Sequence, residues 1–152
     1  MNQYAILLGY FDKQMKIIEK LFKQVVEIDV TVFELTYMFS MLLQQLYTAL
    51  EDLFKQIAKA FENHIEQLES FHKELLVRMN TEIPKIRPMV ISRKSLLLLD
   101  KIRAFRHFIR HAYDCELDSG ELEHIKARLK EEFQEVLQNL QTFRGWVVDL
   151  AG

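Results

Sequence analysis

The stretch VFELTYMFSMLLQQLYTALEDLFKQIAKAFE, residues 32–62, decides the fold of this chain. Its apolar residues recur every three or four positions, which is the spacing of one face of an α-helix. The same stripe continues for a further helical turn or two beyond residue 62. Its members are Leu35, Phe39, Leu42, Leu46, Leu50, Leu53, Ile57, Phe61, Ile65 and Leu68.

A second, partial stripe lies beside the first. It offers more apolar surface than one copy of the chain is expected to cover, and so favours a homodimer. Its members are Thr36, Leu43, Tyr47 and Phe54.

Helix boundaries follow from capping residues and prolines. Thr31 with Glu34 forms a capping box, Ser92 is a cap, and Asp118 opens another capping sequence. Both prolines fall in residues 80–92, which predicts a loop. A straight helix from residue 32 to 79 would be about 72 Å long, too long for a domain with a radius of gyration of ~15 Å, so we expect it to split. The predicted helices are 2–26, 32–62, 67–79, 93–115 and 119–148.

Composition agrees with a helical protein. The chain has 152 residues, 49% of them apolar, and contains only four glycines and two prolines. Sheets and long loops need more of these turn-forming residues. We therefore expect an all-α antiparallel bundle of about five helices, in a single domain over residues 1–152. No apolar run reaches the length of a membrane span, and charges interrupt any N-terminal signal sequence. The lone Cys115 excludes an internal disulfide and favours a cytoplasmic protein.

The net charge of −2 conceals an asymmetry. Residues 85–111 hold eight Lys or Arg and only one acid, Asp100, while the remainder of the chain carries 12 bases and 21 acids. This pattern excludes a protein that is basic throughout and coats nucleic acid. It is consistent either with a local phosphate-binding strip on an acidic body or with an ordinary solvated face.

The centre of that strip is RAFRHFIRHAY, residues 103–113. A helical projection places Arg106 and Tyr113 on one flank, with Arg103 and Arg110 just beyond them. His107 and His111 lie on the opposite side with Asp114. The core face between the flanks consists of Leu98, Ile102, Phe105, Ile109 and Ala112.

Three interpretations of this segment compete. The spacing of His107 and His111 could bind a metal ion, but zinc requires three or four ligands and the neighbouring arginines repel cations. The histidines could instead be structural, paired with carboxylates of a neighbouring helix. The third interpretation is phosphodiester chemistry without a metal: a histidine takes a proton from a ribose 2′-OH, and arginines stabilise the charge on phosphorus.

The segment from Arg106 to Tyr113 has the Arg-x4-His-x-Tyr form of the HEPN superfamily. It resembles in particular the HepT-like toxins that are encoded beside a minimal nucleotidyltransferase (MNT). The similarity extends over about residues 40–118. The other segments that carry it are YxxLExxFKxIA at 47–58, FHKELLxxM at 71–79, IRPxVIS at 86–92 and FRH at 105–107.

The resemblance implies a metal-independent endoribonuclease toxin of a type VII toxin–antitoxin system, without a cofactor, that cuts transfer or messenger RNA as a homodimer. His111 would be the catalytic base and Arg106 would stabilise the transition state. Tyr113 would be the residue to which the MNT antitoxin adds AMP. The alternative within the superfamily is a non-catalytic, nucleotide-binding helper subunit of a nucleotidyltransferase, and a third possibility is a purely structural dimerisation domain.

The helical projection adds phosphate-binding candidates and one difficulty. Arg103, His107 and Arg110 are the stronger candidates; Arg87 and Arg93, near the loop, are weaker. Arg106 and His111 are five residues apart, about 140° around a regular helix, and do not easily converge on one phosphate. Arg106 of one subunit could meet His111 of the other, or the helix could be distorted near residues 110–111. The sequence favours the shared site.

Overall fold

The computed structural model describes residues 2–62, 71–111 and 117–152, except for the side chain of His111. These residues form an all-α fold of five helices and contain no β-strand. The helices are α1 (Gln3–Val26), α2 (Phe33–Glu62), α3 (Phe71–Met79), α4 (Arg93–His111) and α5 (Ser119–Ala151).

The helices pack as an antiparallel bundle around α2. Gln14 of α1 donates a 2.9 Å hydrogen bond to the carbonyl oxygen of Ala49 in α2, and the ring of Tyr4 stacks on that of Phe61, so α1 and α2 run in opposite directions. The helix α5 returns along α1, and α4 runs against α5. Only α2 contacts all four other helices described.

The central position of α2 explains why two of its faces are apolar. The main stripe forms the core as predicted, with Phe39, Leu46 and Ile57 fully buried. The second stripe is also buried within the single chain, because helices surround α2 on several sides: Leu43, Tyr47 and Phe54 are at most 1% exposed. The argument from this stripe to a homodimer is therefore wrong, and the homodimer stays a prediction.

The ends of the helices test the predicted caps. Ser92 caps α4, since its hydroxyl accepts the backbone N–H of Ser95, and Asp118 caps α5 by accepting the N–H of Gly120. The prediction of a capping box at Thr31 is wrong. The Thr31 hydroxyl donates to Asp29 instead, and α2 begins at Phe33. The predicted start of α3 at residue 67 and the predicted end of α4 at residue 115 lie outside the described residues.

The loop 80–92 is closed by a tight turn and by one arginine. Pro84 and Lys85 occupy the corners of a turn in which the N–H of Ile86 donates to the carbonyl oxygen of Ile83, and Lys85 has a φ of 69°, as a type II turn requires. The guanidinium of Arg87 points inward and is fully buried.

Arg87 therefore is not a phosphate-binding residue, and its assignment as a candidate is corrected. It donates hydrogen bonds to Glu62 and to the carbonyl oxygens of Arg78, Thr81 and Pro88. A buried guanidinium must have its donors satisfied, and the loop satisfies them. Arg87 thus anchors the loop to the end of α2.

Candidate functional site

Arg106 is held where the core face of α4 meets solvent. The residues before it on that face, Leu99, Ile102 and Phe105, are buried against the bundle and fix the rotation of the helix. The Arg106 side chain is 13% exposed. It is thus packed by the core along its length, while its guanidinium reaches the surface of a cleft between α1 and α2.

A buried carboxylate stands behind the Arg106 guanidinium. Glu51 on α2 is 3% exposed, and its Oε1 lies 3.6 Å from Nη1 of Arg106 and 3.7 Å from Nζ of Lys55. Its Oε2 lies 2.7 Å from Nδ1 of His72 on α3. An ionised carboxylate only accepts hydrogen bonds, so Nδ1 is the donor in this contact. Glu51 thereby joins α2, α3 and α4 at the point where Arg106 emerges.

Tyr47 supports Arg106 from one turn earlier on α2. The guanidinium carbon of Arg106 lies 5.4 Å from the centre of the Tyr47 ring, a cation–π distance. Burial, followed by the nearby charge of Glu51, raises the pKa of Tyr47 well above its usual range, so its hydroxyl stays neutral. That hydroxyl is buried and has no hydrogen-bond partner among the described residues. Tyr47 therefore supports Arg106 through its ring.

The cleft beside Arg106 has a volume of about 840 Å³ and opens between α1 and α2. Arg110, one turn further along α4, lines it with Arg106, and its side chain is exposed. Two of the sequence-predicted arginines thus lie on the wall of one cleft. A guanidinium pair of this kind can hold a phosphate group.

The remaining described candidates lie elsewhere on α4. Arg103 donates a 2.8 Å hydrogen bond from Nε to Asp100 of its own helix. His107 is exposed and contributes no lining to the cleft. Arg93 is exposed at the start of the helix, several turns from Arg106. These three residues do not converge on the cleft as Arg106 and Arg110 do.

The predicted base and modification site fall outside what can be described. The side chain of His111 and the whole of Tyr113 lie outside the described residues, as does Cys115. The backbone of α4 is helical through both Arg106 and His111, which leaves their separation of about 140° around the axis in place. The shared site between two subunits stays a prediction.

Two further features bear on the alternatives. Among the described residues, no three His, Cys, Asp or Glu side chains come together in a way that could hold a metal ion. The same residues include no helix that is long and apolar enough to span a membrane.

Sequence reasoning missed Glu51 and His72 as parts of this site, although a signal for Glu51 exists. The second stripe of α2 omits two positions that helical spacing requires, and these hold Ser40 and Glu51. Both are buried. A carboxylate in an apolar stripe predicts a buried partner of opposite charge, and Arg106 is one.

The chain was compared with known proteins and with models of protein families. No curated protein and no solved structure is detectably similar to this chain. A family model described as "HepT-like protein" matches residues 38–147. The matched region contains Glu51 with its contacts Lys55, His72 and Arg106, as well as the loop anchored by Arg87 and the whole of α4. The chain therefore belongs to the HepT-like protein family of the HEPN superfamily.

Proposed function

We propose that this protein is a metal-independent endoribonuclease toxin, in which Arg106 stabilises the reacting phosphate and His111 is the catalytic base. The observation that carries the proposal is the placement of Arg106. It is backed by the buried Glu51, supported by the ring of Tyr47, and faces an open cleft together with Arg110. Membership of a family related to nucleases agrees with this chemistry.

The proposed reaction is an attack within the RNA itself. His111 takes the proton of a ribose 2′-OH, the 2′-oxygen bonds to the adjacent phosphorus, and the bond from phosphorus to the 5′-oxygen breaks. The products are a 2′,3′-cyclic phosphate and a 5′-hydroxyl, whose proton comes from water. Arg106 stabilises the charge that develops on the phosphate oxygens, as preorganised cations do in other phosphoryl-transfer sites.

The surroundings of Arg106 support this role, because its side chain is restrained by its neighbours while its guanidinium remains open to the cleft. The contacts to Glu51 and Tyr47 reduce the freedom of its side chain, which lowers the entropic cost of holding a transition state. The 3.6 Å approach to Glu51 is longer than a hydrogen bond, so the donors of the guanidinium can still bind phosphate oxygens. Transfer RNA or messenger RNA is the proposed substrate.

Regulation is proposed at Tyr113, by an MNT nucleotidyltransferase that adds AMP. This residue follows Arg106 by seven positions, two helical turns, so an α-helix continued through it would place both on one flank. A bulky, negatively charged AMP group there would repel the substrate phosphates. A second copy of the chain is proposed to complete the site beside Arg106 on α4, outside the cleft between α1 and α2, which would bring its His111 towards Arg106.

The test is cleavage of RNA by the purified full-length chain, with the intact mass showing that it carries no AMP. The unmodified protein is expected to produce RNA fragments ending in 2′,3′-cyclic phosphate. His111→Ala and Arg106→Ala should lose activity by about a hundredfold or more while retaining the native helical content. Intact RNA after incubation with the unmodified native protein would contradict the proposal and favour the non-catalytic helper subunit.

The shared site has a separate test. Mixed dimers of Arg106→Ala and His111→Ala subunits should recover part of the native activity, because one of the two composite sites regains both residues. Absence of recovery in confirmed mixed dimers would contradict the shared site without affecting the assignment as a ribonuclease.

A further inference from the structure

We propose that the cleft between α1 and α2 binds an unpaired RNA base, next to the phosphate held by Arg106 and Arg110. This inference rests on the proposed function and deepens it, because it names the part of the substrate that the protein recognises. The cleft volume of about 840 Å³ falls in the range of small-molecule sites. That volume is sufficient for a nucleotide.

The chemistry of the cleft is that of primary amides. Four glutamines of the described part of the chain line it: Gln14 and Gln24 from α1, and Gln44 and Gln45 from α2. Each amide offers a hydrogen-bond donor and an acceptor side by side, the arrangement that pairs with the edge of a nucleobase. In unpaired RNA those edges are accessible.

Two of these amides are fixed in place by the helices. Gln14 is buried and donates to the carbonyl oxygen of Ala49 at 2.9 Å. Gln44 is partly buried and donates to the carbonyl oxygen of Ser40 at 3.3 Å. A primary amide has a second N–H and a carbonyl oxygen beyond the group used in such a bond. The fixed amides are therefore preorganised for a ligand.

Charge and apolar surface are distributed as a nucleotide requires. Among the described residues, the cleft is lined by three cations, Arg106, Arg110 and Lys20, and by one carboxylate, Asp52, in a protein whose overall charge is −2. Arg106 and Arg110 lie together on α4, at one side of the amides. A phosphate bound there would place the attached base among the glutamines.

A ligand fits this lining better than a second copy of the chain does. The centre of a stable homodimer interface is apolar and poor in charged groups. This cleft has amides from α1 and α2 and charged groups from α1, α2 and α4, and its exposed apolar members among the described residues are Ile17 and Met41. Those two side chains can contact the faces of a base whose edge binds the amides.

The molecule contains a matched control groove. A smaller cleft of about 310 Å³ between α1 and α5 is also lined by glutamines, among them Gln134 and Gln138. Its charged lining residues are Glu19 and Lys23, which cancel, and no arginine lines it. Amides without a neighbouring phosphate site should not bind RNA.

The experiment measures binding of fluorescently labelled, single-stranded six-nucleotide RNAs to full-length protein. His111→Ala is used as the background so that no RNA is cut. Adding Gln44→Leu and Gln45→Leu should weaken binding about tenfold and reduce the differences in affinity among A, C, G and U hexamers. Adding Gln134→Leu and Gln138→Leu should change the affinity less than twofold.

A second variant protects the test from misfolding. Thr48 is exposed in the cleft, so Thr48→Trp should fill the cleft without disturbing the core, and it too should weaken binding. Equal losses in the cleft and control variants would overturn the inference, as would unchanged binding in both cleft variants. A change of sedimentation confined to the cleft variants would also overturn it, because a second copy would then be the occupant.

These outcomes are distinguishable from failure of the proposed function. A native protein that cleaves RNA, with normal binding in the cleft variants, contradicts only the base-binding cleft. A native protein that cleaves no RNA contradicts only the proposed function, since hexamer binding to the His111→Ala protein still reports on the cleft.

Discussion

Arg87 and Arg106 each contact a glutamate that is at most 10% exposed, and the surroundings of the two pairs differ. Arg87 is fully buried, and its guanidinium is saturated by Glu62 and three backbone carbonyl oxygens. Arg106 stands 3.6 Å from Glu51, is supported by the face of an aromatic ring, and reaches the wall of an open cleft. The two side chains carry the same charge and lie in the same basic stretch of sequence.

The difference separates a structural arginine from a functional one. A guanidinium whose donors all bind protein atoms holds a loop in place and has nothing left to offer a substrate. A guanidinium that is restrained at one side and open at the other can bind a phosphate with little loss of entropy. The comparison predicts that changes around Arg87 act on stability and changes around Arg106 act on activity.

The largest effect on stability is expected at Arg87. Arg87→Met leaves Oε2 of Glu62 and three carbonyl oxygens without their donor, and should lower the free energy of unfolding by about 3 kcal/mol or more. Chemical denaturation measures this loss. The control is Arg78→Met, since Arg78 contacts the same Glu62 at 3.3 Å from a side chain that is 36% exposed. A loss at Arg78 as large as that at Arg87 would break the comparison.

Glu51 should show the opposite balance. Glu51→Gln removes the negative charge behind Arg106 and weakens the hydrogen bond between residue 51 and His72. The free energy of unfolding should fall by about 1–2 kcal/mol. Because Arg106 is then less well positioned, RNA cleavage by the folded variant should fall about tenfold. Glu62→Gln is the control: it should lower stability while cleavage by the folded protein stays native. Native cleavage by Glu51→Gln would remove Glu51 from the site.

The fold was largely predictable from sequence because it depends on spacing. Apolar residues at helical intervals predict that residues 33–62 are helical, and the two prolines predict the loop 80–92. The burial of Arg87 and the partial exposure of Arg106 have no such local signature. In the sequence, Arg87 and Arg106 are two basic residues of the same basic stretch. Only their three-dimensional contacts show that Arg87 is fully buried and that Arg106 reaches the cleft.

The site was predictable only in part, for the same physical reason. The projection of one helix brings Arg106 and Arg110 near each other, but Glu51 and His72 come from α2 and α3. Their meeting depends on how three helices pack. The burial of the second stripe likewise follows from the central position of α2, which no spacing within α2 reveals.

Tyr47 allows a smaller test of the region around Arg106. Its hydroxyl is buried without a partner among the described residues. Tyr47→Phe removes that group and keeps the ring, and should raise the free energy of unfolding by about 1 kcal/mol while cleavage stays within twofold of native. Tyr47→Leu is the matched control, which loses the cation–π contact and should lower activity. A loss of activity in Tyr47→Phe would mean that the hydroxyl, and not the ring, acts at the site.

The smallest effect is expected at a third arginine pair, which extends the comparison to the surface. Arg144 donates to Asp12 at 2.6 Å, but the two side chains are 34% and 49% exposed, so the pair should contribute less than ~1 kcal/mol. The hydrogen bond from Arg144 lowers the pKa of Asp12. A lowered folded-state pKa stabilises the protein above the unfolded-state pKa of about 4, and this stability is lost as the pH falls through the folded value.

Asp12→Asn should therefore be slightly less stable than the native protein at pH 7, and the difference should vanish in acid. Denaturation at pH 7 and pH 2.5, in low and high salt, measures it. Salt should also reduce the difference, because the pair is open to solvent. A loss at Asp12 comparable to that at Arg87 would show that burial is not what distinguishes the arginines. Such a result would contradict the comparison, because exposure to solvent is the feature from which we expect the Arg144–Asp12 pair to contribute so little.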